Sequence, residues 1–351
     1  MKIREVHVRQ FRNFGPDQPP VRFYDESTGL VRPLSVLVGS NGSGKSTLFQ
    51  VVEGLLSYAL DVVEDRAITH ELREQGYAAV NIEFGDGAPA ELAAQTWIAL
   101  GRKDRAPEDY RQLPNLIGRL EQRGGSGKPW EKKGPRGALN QWIGSMMRGD
   151  TEMRDGLLFF PHNRWIEHEQ RGAIEQPPRT KPWLFHFEPE SGWQGSLSQQ
   201  WVWQNYLDLE QRREGRDNLL PFVEPIEKIL GRDQKIVIRE GHVQIQRPGG
   251  SSIEPHQLPS GEQQVLALFG EIVRRLRRGA VILIDEVEIS LHPALQRAVL
   301  YHLRQLARDH DLQIILTTHS MEVVSSVAPS EIINIDDMLA AEQDRASQGA
   351  P

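Results

Sequence analysis

The 351-residue sequence predicts an α/β fold: a mostly parallel core sheet, an antiparallel β subdomain and an inserted, partly helical lobe. Three observations carry this prediction. Short, mostly apolar runs at Leu34–Val38, Val281–Ile284 and Gln313–Leu316 have the length and near-continuous hydrophobicity of strands covered on both faces. Stripes of 3.6-residue period lie between such runs, as at Leu48, Val51, Val52, Leu55 and Leu56. Elsewhere the apolar residues alternate with polar ones, as strands with one wet face require.

In chain order, Ile3, Val6, Val8 and Phe11 alternate among charges and read as an edge strand over residues 2–14. Leu34–Val38 runs straight into glycines, and the helix carrying the Leu48–Leu56 stripe follows. Val80, Ile82 and Phe84 alternate again, and Thr96–Leu100 is the next strand. Residues 101–215 differ in character. The stretch from Gly124 to Gly137 is too rich in glycine, proline and lysine to pack, and reads as a mobile loop. All eight tryptophans lie between Trp97 and Trp203. A hairpin is expected at Lys235–Arg239 and His242–Gln246 around Glu240-Gly241. A helix over about 261–277 ends at Gly279, and a buried strand, a helix (about 293–309), a second buried strand and a last strand (Ile332–Ile335) follow. The predicted domains are 1–100, an inserted lobe at 101–215, 216–338, and a disordered polar tail at 339–351.

Composition excludes several classes. With no cysteine there are no disulfides, thiolate zinc sites or cysteine nucleophiles, which fits a cytoplasmic protein. No apolar run is long enough to span a bilayer, so no membrane association is expected. With a net charge of −7 the surface as a whole does not advertise nucleic-acid binding, so any DNA contact needs a local basic patch.

Four motifs carry chemistry. Gly39, Ser40, Asn41, Gly42, Ser43, Gly44, Lys45, Ser46 and Thr47 form a phosphate-binding loop between a strand and a helix. Glycines let the backbone N–H groups turn inward, Lys45 adds a point charge for the β and γ phosphates, and the Ser46 hydroxyl is a ligand for Mg²⁺. Asp285 and Glu286 end an apolar strand, where Asp285 is placed to take the metal through water and Glu286 to polarise the attacking water. Ser260, Gly261 and Glu262 open a helix. Ser260 with Gln263 reads as a capping box, or else the exposed helix start receives a phosphate from another molecule. His319, in Thr317-Thr318-His319-Ser320 after the next core strand, is placed to sense the γ-phosphate.

The order of these motifs resembles the ATP-binding cassette (ABC) superfamily of P-loop NTPases. The run Lys2–Phe14, ending Gln-Phe-Arg-Asn-Phe, resembles the opening of RecF- and SMC-type ATPases, and Asp285-Glu-Val-Glu-Ile-Ser-Leu-His-Pro293 resembles the OLD (overcoming-lysogenisation-defect) group. The resemblance covers residues 1–60 and 255–336. It implies ATP with Mg²⁺ held in a head-to-tail homodimer, with Ser260, Gly261 and Glu262 acting in trans and Glu288–His292 at the subunit contact. Val287 and Met321 stand where the OLD group commonly has proline. The superfamily's glutamine loop has no placed counterpart. Gln95 is a poor fit, and Phe160-Pro-His-Asn-Arg164 is the other source of such contacts. Only 32 residues follow His319, so a stand-alone ATPase without a TOPRIM nuclease is expected.

The alternative is an ABC transporter subunit. Against it, Gly39 and Ser260 lie 221 residues apart, where transporters place roughly a hundred as a family expectation. For the biological role two readings stand, in DNA repair or in antiviral defence. One is a DNA-responsive clamp, for which residues 102–148 supply eleven Lys or Arg against five Asp or Glu. The other is a regulatory scaffold for a separate effector such as a nuclease or toxin. The plainer reading of the tryptophans is that they pack the inserted lobe, and that of Arg274, Arg275, Arg277 and Arg278 is complementing a helix dipole. His162 and His168 lie close in sequence without other support for a metal site.

Overall fold

The computed structural model describes residues 1–60, 67–92, 95–122, 128–166, 172–178, 182–189, 192–210, 217–231 and 233–338. The first part contains β1 (Lys2–Arg9), β2 (Val21–Arg22), β3 (Leu34–Val38), α1 (Lys45–Ala59), α2 (Ala67–Gln75), β4 (Tyr77–Glu83), β5 (Gln95–Arg102), β6 (Ile117–Glu121), β7 (Trp130–Lys132) and α3 (Arg136–Arg148). There follow β8 (Leu157–Phe160), β9 (Leu184–His186), α4 (Leu197–Glu210), α5 (Leu220–Leu230), β10 (Lys235–Arg239), β11 (His242–Gln246) and β12 (Ser252–Ile253). The chain closes with α6 (Ser260–Arg275), β13 (Val281–Ile284), α7 (Pro293–Asp309), β14 (Gln313–Thr317), α8 (Met321–Ser325) and β15 (Ile332–Asn334).

The central sheet has the order β15-β3-β14-β13-β8-β9, with every pair parallel. Its strands are apolar at successive positions because both faces are covered. Leu37, Leu157, Phe159, Leu283 and Ile315 pack with α1 and the second sheet. Val36, Leu158, Phe160, Ile282, Ile284 and Leu316 face the other way, onto α5, α6 and α7. The second sheet, β2-β1-β4-β5-β6-β7, is antiparallel except for β5 with β6. The side chain of Gln313 joins the two sheets. Buried at the start of β14, it accepts from the Ile3 N–H at 2.6 Å and donates to the Ile3 carbonyl at 2.8 Å.

Three expectations change here. Lys2–Arg9 is not an edge strand, because β1 is paired on both sides by β2 and β4. Of the expected mobile loop, residues 123–127 lie outside the described residues. Trp130–Lys132 of the remainder is an ordered strand on β6, with Trp130 edge-on to Tyr110 at 5.0 Å, and α3 begins at Arg136. The span 101–215 is not one separate insert either, since β8 and β9 lie in the central sheet, β8 in register with β13. β8 is apolar and buried at all four positions, which a peripheral lobe does not offer. Trp97, Trp142, Trp183 and Trp201 are buried, whereas Trp165 is 45 % exposed. The predicted tail lies outside the described residues.

Candidate active site

Because the central strands are parallel, their C-terminal ends share one edge, and there the polar residues emerge. Leu37 pairs with Thr317, Leu316 with Ile284, and Ile284 with Phe160. The segments after β3, β14, β13 and β8 therefore stand side by side: the glycine loop, Thr318-His319, Asp285-Glu286 and Pro161–Arg164.

Residues 39–47 turn from β3 into α1, which begins at Lys45. Gly42 (φ 80°) and Gly44 (φ 101°) take left-handed backbone that side chains disfavour. A Cβ on Gly44 would also lie 2.7 Å from the Phe14 ring. Asn13 donates to the Gly42 carbonyl, so the segment after β1 braces the loop from outside. Lys45 bends back and donates to the carbonyls of Gly39 and Ser40, each at 2.9 Å, and to Ser43 Oγ at 3.3 Å. Burial pushes the Lys45 ammonium below its usual range, against the pull of Asp336, Asp285, Glu286 and Glu288. Ser46 and Thr47 occupy the first turn of α1, half-buried.

Asp285 is 2 % exposed and its Oδ1 accepts from Thr317 Oγ1 at 2.6 Å. Glu286 has φ 46°, an unusual left-handed value for a residue with a side chain, and its N–H donates to the same Thr317 Oγ1 at 2.8 Å. Val287, where the resemblance led to an expectation of proline, uses the N–H that proline lacks, donating to the Thr317 carbonyl. Glu288 accepts from Thr318 Oγ1 at 2.8 Å and from the His319 N–H at 2.6 Å, leaving the His319 side chain exposed beside the acids.

The helix start at Ser260 differs from the expected capping box. The N-cap is Pro259, without a side-chain cap bond, and Gln263 donates to the carbonyls of His256 and Leu258, both at 2.8 Å. Ser260 is thereby left exposed. Gly261 touches the loop after the acids, since a Cβ there would meet the Ser290 carbonyl at 2.6 Å. The Glu262 carboxylate does not join Ser260 on the exposed face. It is buried, 3.8 Å from Arg247. Of the arginines at the other end of this helix, Arg275 and Arg277 are buried, Arg275 lying 3.7 Å over the Phe185 ring, so only Arg278 is fully exposed.

Residues 184–325, which include the Ser260 helix, the acids and His319, match a family described as "AAA domain, putative AbiEii toxin, Type IV TA system". The "Retron Vc95 probable ATPase" of Vibrio cholerae serotype O1 biovar El Tor is 28% identical over 142 residues, 37% of this chain and 26% of that protein. The methionine import ATP-binding protein MetN of Cupriavidus metallidurans is 26% identical over 159 residues, 45% of this chain and 39% of that protein. The matched part thus spans about a quarter to two fifths of the length of these relatives. Over 95% of the chain, the fold is similar to a solved SMC head bound to the C-terminal winged-helix domain of ScpA, with a TM-score of 0.52, 13% identity and 94% of that chain covered. The chain is related over part of its length to ABC- and AAA-type ATPases, and its fold is that of an SMC head.

At this sheet edge the donors present fit a nucleoside phosphate with a small divalent ion. The glycine loop presents N–H groups at a helix start, and Ser46 with Asp285 gives hard oxygen ligands. Among the described residues there is no group of three or more His, Asp or Glu side chains able to cage a metal. A phosphate-bound Mg²⁺, which takes only one or two protein ligands, suits such a site.

Three neighbours were not among the predicted site residues. Asp336, just beyond β15, accepts from the Ser40 N–H at 2.6 Å and Ser40 Oγ at 3.0 Å. His162 Nδ1 is 3.9 Å from Asp285 Oδ2. Arg164, 1 % exposed, donates to the carbonyls of Asp285 and Glu286. The run Phe160–Arg164 therefore does make contacts beside Asp285, and its place at the end of an apolar strand was the sequence signal. Gln95 instead lies in β5 of the other sheet and accepts from Asn81. His168 lies outside the described residues.

Proposed function

We propose that this ATPase binds Mg-ATP and hydrolyses it between two copies of the chain arranged head to tail. The observation that carries the reading is the shared sheet edge. There the loop at 39–47, the acids Asp285 and Glu286, and His319 are adjacent, while Ser260 is exposed at the start of a 16-residue helix.

Backbone N–H groups of Gly39–Thr47 hold the phosphates, and Lys45 neutralises the β and γ oxygens. Ser46 and Asp285 hold Mg²⁺, which when bound supplies charge to the developing phosphate oxygens. Glu286 orients the attacking water and accepts its proton. His319 touches the γ-phosphate. Ser260, with the Gly261 and Glu262 N–H groups, receives that phosphate from the partner copy, where a helix start favours an anion. The loop at Glu288–His292, in contact with Gly261 through Ser290, forms part of the same face.

For the biological role we favour the regulatory scaffold, an ATP-closed dimer that holds or releases a separate effector, a nuclease or toxin in antiviral defence. The similarity to a retron ATPase, and a family description that names a toxin, support it. DNA response is the second reading, favoured by exposed Lys128, Lys132 and Lys133 around the edge strand β7. The transporter alternative rests on similarity to import ATP-binding proteins over less than half of the chain.

Glu286→Gln tests the mechanism. It is expected to bind ATP, to lose about 10²- to 10⁴-fold in kcat as for removal of a general base, and to accumulate as a dimer. A variant that stays monomeric at saturating Mg-ATP, by light scattering, contradicts the sandwich.

A further inference from the structure

Arg164 is enclosed within the protein, and an unpaired buried cation is costly. Burial pushes its pKa down to about 10, with Asp285, Glu288 and Glu286 favouring the charged form. Its guanidinium is saturated by neutral acceptors: Pro161 O at 2.6 Å, Asp285 O at 2.7 Å, Glu286 O at 3.0 Å, Gln264 Oε1 at 3.1 Å and Phe160 O at 3.4 Å. A planar five-donor fork reaches three elements at once, which an ammonium does not do. The bond to Gln264 is reciprocal, since Gln264 Nε2 donates to the Arg164 carbonyl.

The two ends of this bridge are informative. At one end, the Glu286 residue is gripped on both sides, its N–H by Thr317 Oγ1 and its carbonyl by Arg164, in a backbone conformation a side-chain-bearing residue rarely keeps unaided. At the other, Gln264 sits four residues after Ser260 on α6, and positions i and i+4 share a helix face. The carbonyls behind the acids and the first turn of the Ser260 helix are therefore joined through one side-chain pair.

We infer that Arg164 and Gln264 are positioning residues that transmit nucleotide occupancy at Asp285 and Glu286 to the helix presenting Ser260. This rests on the nucleotide-sandwich reading above. Metal and water at the acids would shift the backbone of Asp285 and Glu286, whose two carbonyls Arg164 would follow, and α6 would follow Arg164. The phosphate grip of residues 39–47 has no part in the bridge.

The full chain and its Gln264→Ala, Gln264→Glu and Arg164→Lys variants are compared in steady-state hydrolysis and in amide hydrogen exchange with and without Mg-ATP. Exchange is measured at a protein concentration where the chain is monomeric. Gln264→Ala is expected to keep KM within about threefold while kcat falls about ten- to hundredfold, the loss that follows from misplacing a reacting group. Mg-ATP should still slow exchange across 39–50 in Gln264→Ala but no longer across 258–268. Arg164→Lys should behave in the same way. Gln264→Glu keeps an acceptor for Arg164 Nε and should recover part of the rate. Unchanged kcat in Gln264→Ala, a lowered Tm with kcat per folded molecule unchanged, or retained protection at 258–268 each overturns the coupling. Absence of protection at 39–50 in the unaltered chain overturns the nucleotide-site reading, and the coupling with it.

Discussion

In the proposed nucleotide site Lys45 is the residue on which the phosphate grip would depend, and its surroundings set how it responds to pH. It is 5 % exposed and bonded to loop carbonyls, with burial holding its pKa below the ordinary 10.5. Lys45→Ala removes charge-assisted contacts to two phosphates, and is expected to weaken ATP binding about hundredfold or more in a fluorescent-nucleotide titration. The sign of the pH effect follows from linkage. A bound phosphate favours the ammonium, so binding takes up a proton once the free protein begins to lose it. Affinity should therefore be flat at neutral pH and decline as pH rises through the lowered Lys45 pKa, below 10.5. The same lowering makes the unfolded chain the tighter proton binder in that window, so this group's destabilising effect fades as pH rises. Calorimetric titration of ATP between pH 7 and 10 checks the first statement, and an affinity that strengthens with pH contradicts it.

At the scale of elements, the loop between β3 and α1 is held in shape by tight contact with the segment after β1. Gly44→Ala must place a Cβ against Phe14 in backbone with φ 101°. A loss of about 2 kcal/mol or more in unfolding free energy is expected, by denaturant titration, because strain and overpacking act together. ATP binding should weaken as well, since the same glycine sets the direction of the loop N–H groups. The parallel register does comparable work at the acids. Thr317, at the end of β14, bonds both the Asp285 carboxylate and the Glu286 N–H. Thr317→Val keeps the shape but removes the hydroxyl, and should lower kcat more than it raises KM, which steady-state kinetics resolves.

For the whole molecule, the question is what the proposed ATP-closed dimer would act upon. The acidic net charge of −7 leaves DNA contact to local patches. Lys128, Lys132 and Lys133 are exposed next to β7, the outer strand of the sheet among the described residues. Reversing all three charges should leave basal ATP hydrolysis within about twofold, because they lie on the second sheet rather than at the edge bearing Asp285. If the DNA-responsive reading holds, this variant loses affinity for double-stranded DNA and the salt dependence of binding flattens, as removal of phosphate contacts requires. Unchanged DNA affinity in a filter-binding titration removes the patch from consideration and leaves the scaffold reading.

The sequence by itself determined the parts whose meaning is local. A glycine run ending in Lys45-Ser46 after a buried strand, an apolar strand ending in Asp285-Glu286, and the hairpin at Glu240-Gly241 can be read because strand period, glycine freedom and residue chemistry depend on near neighbours. The α/β class follows from the same periodicities. Tertiary structure decided which local signals were real. Ser260-x-x-Gln263 looks like a capping box, yet Gln263 turns to the carbonyls of His256 and Leu258, and Ser260 stays exposed. Leu157–Phe160 looked like part of an insert, and its place in the central sheet came from pairing with β13, more than 120 residues away. Asp336 carries no signature at all, and Arg164 only its place just after an apolar strand. Each belongs to the site through bonds to residues more than 100 positions distant, to Glu286 for Arg164 and to Ser40 for Asp336. Such partners are fixed by strand order and register, which set positions that residue type and local spacing leave open.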